Sequence, residues 1–277
     1  AGIAFADALS TVSPTYAREI QTPKYGFGMD GALRGRSSVL TGILNGVDYL
    51  KWNPEIDPLI PARYSGDDLR GKEICKRRLL QEFGLPPEAM ARPLLGIVSR
   101  FTHQKGADLV AKAIAGIVAE DVYLVALGKG DAESEKLFSD MQRDHPGRVA
   151  VRIAFDNGLA HRIEAGADMF LMPSYYEPCG LNQIYSLRYG TVPVVRATGG
   201  LDDTIDYAID DNIEEGTGFK FVEYTGTALL EAVRVAVRAF QDRDSWRRMM
   251  RRGMRKDFSW KTSAAAYSQL YRRLLGR

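Results

Sequence analysis

From Pro93 onward the chain alternates short apolar runs with stretches of helical periodicity, and this alternation limits the possible folds more than any other feature. Residues 94–98, 122–127, 148–153, 169–172 and 192–195 are short and apolar, as buried strands are. Between them, 107–119, 132–142, 159–165 and 181–188 repeat their apolar positions at helical spacing. Strands of four to six residues followed by helices of about ten predict βαβ units, hence an α/β fold: a Rossmann-like parallel sheet with helices on both faces. A further strand is expected at 218–222, and further helices at 69–83, 228–240, 245–256 and 259–275. Sheets of this kind bind ligands outside the carboxyl ends of their strands, so the loops there carry the information about function.

The first 55 or so residues follow no such alternation. They are punctuated by turn signals at Ser13-Pro14, Thr22-Pro23 and Asn45-Gly46, and a linker-like passage with Asn53-Pro54 and Asp57-Pro58 follows. The 277 residues carry 37 basic and 35 acidic side chains, a net charge of +2, which offers no electrostatic case for nucleic acid or a membrane surface. The basic run from Arg247 to Lys256 reads as the solvated face of a helix, because Trp246, Met249, Met250 and Met254 interleave with it at helical spacing. Two cysteines, Cys75 and Cys179, make no disulfide framework and point to a reducing compartment, bacterial cytoplasm or plastid stroma. No apolar run approaches the roughly 18 residues of a membrane-spanning helix. The chain opens inside an apolar stretch without an initiator Met, and is expected to be part of a longer protein.

The loop after the first strand is Ser99-Arg100-Phe101-Thr102-His103-Gln104-Lys105-Gly106. Arg100 can fork onto phosphate oxygens, Lys105 supplies a point charge, and the helix that follows adds its positive end; together they suit a diphosphate. An ordinary charged surface loop has the same spacing. The next loop, Gly128-Lys129-Gly130-Asp131, lacks the third glycine of a dinucleotide fingerprint and reads as a tight turn. After the third strand, Phe155 either stacks on a nucleobase or plugs the core, and His161 reads as structural.

The fourth loop, Pro173-Ser174-Tyr175-Tyr176-Glu177-Pro178-Cys179-Gly180-Leu181, places a carboxylate just before a helix whose first amides are free to hold an anion. Cys179 has no visible partner histidine and reads as a packed thiol rather than a nucleophile. The fifth loop, Arg196-Ala197-Thr198-Gly199-Gly200-Leu201-Asp202-Asp203-Thr204, offers a second Gly-Gly amide surface.

S-R-F-T-H-Q-K-G, P-S-Y-Y-E-P-C-G-L and T-G-G-L-D-D-T, in this order, resemble the C-terminal half of bacterial glycogen synthases and plant starch synthases. T-V-S-P-T-Y-A-R-E-I-Q-T-P and L-N-G-V-D-Y-L-K-W-N-P resemble the segment joining the halves of the same enzymes. The resemblance covers essentially the whole chain. It implies a GT-B glycosyltransferase that moves glucose from ADP-glucose to the non-reducing end of an α-1,4-glucan with retention, using no metal or other cofactor. It also implies three segments: residues 1–55 as the end of an N-terminal domain plus linker, 56–257 as the nucleotide-sugar-binding domain, and 258–277 as a helix returning to the first domain. Arg100 and Lys105 would face the diphosphate and Glu177 the glucose. Asn45, Gln104, Cys179, Gly180, Leu181, Thr198, Gly199 and Gly200 would line the substrate, and Phe155 would lie against adenine. Many GT-B relatives carry a second glutamate eight residues after the first; Tyr185 stands there, as in the glycogen and starch synthases. The acceptor-binding N-terminal domain is not in this chain, so the chain alone is expected to bind ADP weakly and transfer little. A UDP-sugar transferase and a non-catalytic sugar-nucleotide or glucan-binding module are the competing readings.

Overall fold

The computed structural model describes residues 2–208 and 214–276. Residues 1, 209–213 and 277, which fall inside the expected segments, lie outside that description. Two short strands, β1 (Leu9–Thr11) and β2 (Leu40–Gly42), pair in parallel near the N-terminus. The main sheet comprises β3 (Leu94–Phe101), β4 (Tyr123–Gly130), β5 (Val149–Ile153), β6 (Met169–Met172), β7 (Val192–Arg196) and β8 (Phe219–Phe221). Its order is β5-β4-β3-β6-β7-β8, and every pairing is parallel.

Side chains alternate across the sheet with the period of two that a strand imposes. Leu95, Ile97, Leu124, Ala126, Met169, Leu171 and Val194 face one apolar layer, built from helices Ala107–Ala119, Ala132–Asp144, Gly226–Gln241 and Arg243–Arg255. Leu94, Tyr123, Val125, Leu127, Phe170, Met172 and Val195 face the other, built from helices Arg70–Phe83, Asn157–Gly166 and Asn182–Arg188. Burial on both faces explains why these strands read as continuous apolar runs.

The structure corrects one expectation. Residues 99–101 and 128–130 are not loops: β3 and β4 stay paired through Phe101 and Gly130. Gly128 and Gly130 are there for close approach rather than for a turn. A Cβ on Gly130 would meet the Phe101 carbonyl oxygen at 1.7 Å. The chain turns only at Asp131, whose carboxylate caps the next helix through the Ser134 amide at 2.8 Å. The basic run lies as expected on helix Arg243–Arg255, which buries Trp246, Met249, Met250 and Met254 and pairs Arg248 with Glu214.

The N-terminal stretch is more ordered than its turn signals imply. Helix Pro14–Glu19 docks on helix Gly199–Thr204, where Asp203 accepts the Thr15 amide at 2.9 Å and the Thr15 hydroxyl at 2.6 Å. Further on, the Trp52 indole lies between the rings of His161, 3.7 Å away, and Tyr185, 4.0 Å away. Asp57 holds His161 Nδ1 at 2.7 Å and accepts the Tyr189 hydroxyl at 2.5 Å. His161 is therefore structural, and Tyr185 is a stacking surface.

Beneath this stack Glu164 is fully buried. Burial pushes its carboxyl up to about 8, against weaker opposition from the Ser186 hydroxyl and the nearby Lys72 charge. Its Oε1 has no hydrogen-bond partner among the described residues. A carboxyl whose pKa is raised by folding stabilises the fold below its unfolded value, and that stability is lost as pH climbs to the folded one. Lys72, pushed down to about 8 by burial, acts only above that pH, where deprotonation favours the fold. The interval from about 4.5 to 8 thus isolates Glu164. Each pKa unit corresponds to about 1.4 kcal/mol, so Glu164→Gln is expected to gain several kcal/mol on the wild type between pH 5 and 8. Urea unfolding of both proteins across that range checks it, and a pH-independent difference would contradict it.

Candidate active site

The chain runs outward from β3 to β4 and β5, then crosses back to place β6 on the other side of β3. The carboxyl ends of β3 and β6 therefore flank the point where strand order reverses, the place where such sheets hold ligands. Arg100 and Lys105 follow from β3, and Glu177 follows from β6.

Lys105 Nζ lies 2.5 Å from Glu177 Oε2, and the Ser174 hydroxyl donates to the same oxygen at 3.0 Å. Glu177 is buried, and the Lys105 side chain is 19% exposed. Gln104 stitches the two loops together. Its carbonyl accepts the Tyr175 amide at 2.8 Å, its side-chain amide donates to the Tyr176 carbonyl at 3.3 Å, and its Oε1 accepts from Arg100 Nη2 at 3.1 Å. The loops can touch because residue 106 is glycine: at φ +81, an added Cβ would stand 2.3 Å from the Pro173 carbonyl oxygen.

Two supports had no role assigned from sequence. Arg196, only 5% exposed, donates to the carbonyls of Tyr175 at 2.6 Å and Val222 at 2.9 Å, and so clamps the loop that carries Glu177. Asn182 Nδ2 donates to the Val98 carbonyl at 2.6 Å and ties the helix after Glu177 to β3. A charged residue in an otherwise apolar strand, as Arg196 is, was the available signal for the first.

A cavity of about 230 Å³ opens between the loops, lined by Arg100, Lys105, Ser174, Glu177, Gly180 and Asn182 among others. Two of the expected amide surfaces differ sharply. The amides of Gly180 and Leu181 have no acceptor among the described residues, and both residues line the cavity. The amides of Gly199 and Gly200 are already donated, to Glu19 Oε1 at 3.1 Å and to the Glu177 carbonyl at 3.0 Å. The Thr198 hydroxyl also donates to Glu19 Oε1, at 2.8 Å. The Gly-Gly amide surface is thus filled from within the chain.

Cys179 is buried, and burial, aided by the nearby Glu177 and Asp203 charges, raises its thiol pKa against a contact from the Asn45 backbone amide. It is a packed thiol, and Asn45 sits beside it. Phe155 is 82% exposed just beyond the end of β5, so it is not a core plug. Among the described residues no cluster of three or more His, Cys, Asp or Glu is arranged to hold a metal.

An all-parallel doubly wound sheet with two cations and a carboxylate at its switch point matches the GT-B glycosyltransferase fold. The chain belongs to the group 1 glycosyl transferases, matching that family over residues 85–252. Residues 1–35 match the starch synthase catalytic domain family. The chain is 58% identical to a glycogen synthase of Anaeromyxobacter dehalogenans (strain 2CP-1) over 99% of its own length and 57% of the relative's. It is 55% identical to a glycogen synthase of Koribacter versatilis, over 97% of the chain and 55% of the relative. It thus spans a little over half the length of these curated relatives. Its fold superposes on the catalytic domain of starch synthase IV from Arabidopsis thaliana, a structure with ADP and acarbose bound. That match has a TM-score of 0.92 and 35% identity, over 99% of this chain and 57% of that one. Sucrose-phosphate synthase from Thermosynechococcus elongatus shares the fold alone, at a TM-score of 0.61 and 22% identity over 98% of this chain and 59% of that one.

Residue 199 offers a direct test of the loop packing. A Cβ there would stand 1.9 Å from the Glu177 carbonyl oxygen, at a φ of +47. Gly199→Ala is expected to cost about 1–3 kcal/mol of stability and to displace the Glu177 loop. Urea unfolding together with nucleotide titration reads both effects; unchanged stability and binding would show that the loops are not packed this way.

Proposed function

We propose that this chain is the donor-nucleotide half of a glycogen or starch synthase. In that reading the whole enzyme transfers glucose from ADP-glucose to the non-reducing end of an α-1,4-glucan with retention. The observation that carries the proposal is the cavity between β3 and β6, where Arg100, Lys105 and two unpartnered amides converge beside a buried carboxylate. The relatives' names point to glucan synthesis, and the ADP in the starch synthase IV structure supports an adenine nucleotide.

The chemistry follows from the charges. When the bond between the anomeric carbon and the diphosphate breaks, the electron pair leaves with ADP, and the acceptor hydroxyl oxygen bonds the same carbon and gives up its proton to a departing phosphate oxygen. Fixed cations act most strongly where that negative charge develops. Arg100 presents a fork of donors, and Lys105 has spent one of its three ammonium hydrogens on Glu177, leaving two for phosphate. Glu177 is placed to hydrogen-bond the sugar or steady positive character at the anomeric carbon. The Gly180 and Leu181 amides take a phosphate or sugar oxygen, whereas Gln104, Cys179, Thr198, Gly199 and Gly200 do not line the cavity and act by holding the loops that do. Phe155 presents an exposed ring to adenine, and Asn45 stands beside the Cys179 thiol, which its backbone amide contacts. Arg100 and Lys105 supply the neutralisation that a metal supplies in other transferases, so no metal or cofactor is required in this reading.

The acceptor side is proposed to come from a preceding N-terminal domain. Helix Trp260–Leu274 buries only Ser263 and Leu270 and exposes Trp260, Tyr271 and Leu274, which suits a return to that domain. Residues 1–55, 56–257 and 258–277 then form the linker segment, the nucleotide domain and the returning helix. Among the described residues no helix is long and apolar enough to cross a membrane, and the bacterial relatives favour the bacterial cytoplasm.

Calorimetric titration is expected to show ADP binding more tightly than UDP, with Arg100→Ala and Lys105→Ala each weakening it; a preference for UDP would favour the UDP-sugar reading. In the full-length enzyme, removing either cation is expected to raise the barrier by about 2.7–4 kcal/mol, as loss of an oxyanion donor does. Glu177→Gln is expected to cut turnover at least as much and EDTA to leave it unchanged. Retained turnover in Glu177→Gln would favour the binding-module reading.

A further inference from the structure

A second cavity, of about 250 Å³, opens near the other end of the sheet, against Asp168, which immediately precedes β6. It shares no lining residue with the cavity beside Glu177. Its walls come from helix Arg70–Phe83, the end of helix Gly226–Gln241 and the start of helix Arg243–Arg255.

Lys72, Lys76, Arg243 and Arg247 line the cavity together with Glu73 and Asp168, and Arg247 also pairs with Asp244 at 3.5 Å, so among the described residues four basic side chains meet three carboxylates. Asp168 is already engaged: one of its oxygens accepts Lys76 Nζ at 2.6 Å and the Leu94 amide at 2.9 Å. Lys72 is buried with all three ammonium hydrogens on neutral acceptors, the carbonyls of Ala165 and Tyr189 at 3.1 Å each and the Thr191 hydroxyl at 2.6 Å. Burial pushes its pKa down to about 8, against weaker opposition from the Asp168 and Glu164 charges.

Free donors point to what would balance the remaining positive charge. Lys76 spends its ammonium on Asp168 and the Arg92 carbonyl, which leaves one hydrogen over. Arg243 lies over the Phe240 ring, 3.7 Å from its centroid, and among the described residues donates to the Ala91 carbonyl alone, through Nη2. The rest of the wall is apolar: Leu69, Met90, Trp246 and Met250.

We propose that this cavity binds a small organic anion, with a carboxylate or phosphate on Lys76 and Arg243 and an apolar body against Met90, Trp246 and Met250. An anion here neutralises the surplus positive charge, and the apolar wall rewards a ligand that is more than an inorganic ion. The site sits at the start of β6, whose other end leads into the Glu177 loop.

Trp246 lines the cavity, and the protein's other two tryptophans, Trp52 and Trp260, lie elsewhere, so the Trp246 indole N–H resonance is a local reporter. Titration of the 277-residue chain with phenyl phosphate and with benzoate is expected to move that resonance saturably for at least one of them. The tighter of the two identifies the preferred charged group. Arg243→Gln and Arg247→Gln, both at exposed positions, are expected to raise Kd about tenfold together without moving the unfolding midpoint. Lys76→Met should weaken binding further if it folds. Three outcomes overturn the site: no saturable shift, an equal response to phenol, or a response in the double arginine variant equal to wild type. An equal response to inorganic phosphate alone overturns the organic-anion assignment.

Discussion

β3 and β6 pair over just two residues, Leu95 with Met169 and Gly96 with Phe170, and the geometry of the site follows from that short contact. At this point helix Asn157–Gly166 also comes close because residue 96 has no side chain: a Cβ there would meet Ile163 Cγ2 at 2.8 Å. Beyond the contact the strands part. β3 continues along β4 to Phe101, while β6 stops at Met172 and hands over to the Glu177 loop. The gap left where these two parallel strands part is the cavity. The cations enter it from one strand and the carboxylate from the other, so no single segment could have built it.

Three strand-end loops looked alike as anion seats, and the structure separates them by asking where each backbone hydrogen bond goes. At 199–200 the answer is inward: Glu19 and the Glu177 carbonyl take the amides, and this contact fastens helix Pro14–Glu19 to the sheet. At 180–181 the amides face the cavity with no protein acceptor among the described residues. The first loop thus sets the position of the second. The Gly200 amide holds the Glu177 backbone, and Arg196 holds Tyr175 two residues earlier.

Much of this was legible because burial on both faces writes strands as plain apolar runs, and βα alternation then dictates where loops gather. Arg100, Lys105 and Glu177 could be brought together on paper for that reason. The failures have physical causes. Gly128 and Gly130 looked like a turn because a glycine needed for close approach and one needed for φ freedom are the same letter. The sandwich of Trp52 with His161 and Tyr185 joins positions more than a hundred residues apart, beyond the reach of any local period. Glu19 and Asp203 carry no role in the sequence reading, because their partners are backbone amides and hydroxyls that leave no mark in a sequence. The exposure of Phe155 likewise depends on packing that a local pattern does not encode.

The pair formed by Lys105 and Glu177 is a poor investment if stability is the only aim. Taking both charges out of water costs energy that their attraction only partly returns, and a well-packed apolar pair in the same space is often neutral or better. The surroundings make the imbalance plainer. Ser174 adds a hydrogen bond to the carboxylate oxygen that already holds Lys105, and Arg196 and Asn182 brace the backbone on either side, while the cavity in front stays open. A structural ion pair needs no such opening and no unpartnered amides beside it. Charges held partly desolvated, in fixed positions, next to unpartnered donors are what an incoming diphosphate requires, because reorganisation that is complete before binding is not charged against the reaction. Glycine at 106 and 199 is what lets the loops come that close, since an added Cβ would meet the Pro173 carbonyl oxygen at 2.3 Å and the Glu177 carbonyl oxygen at 1.9 Å.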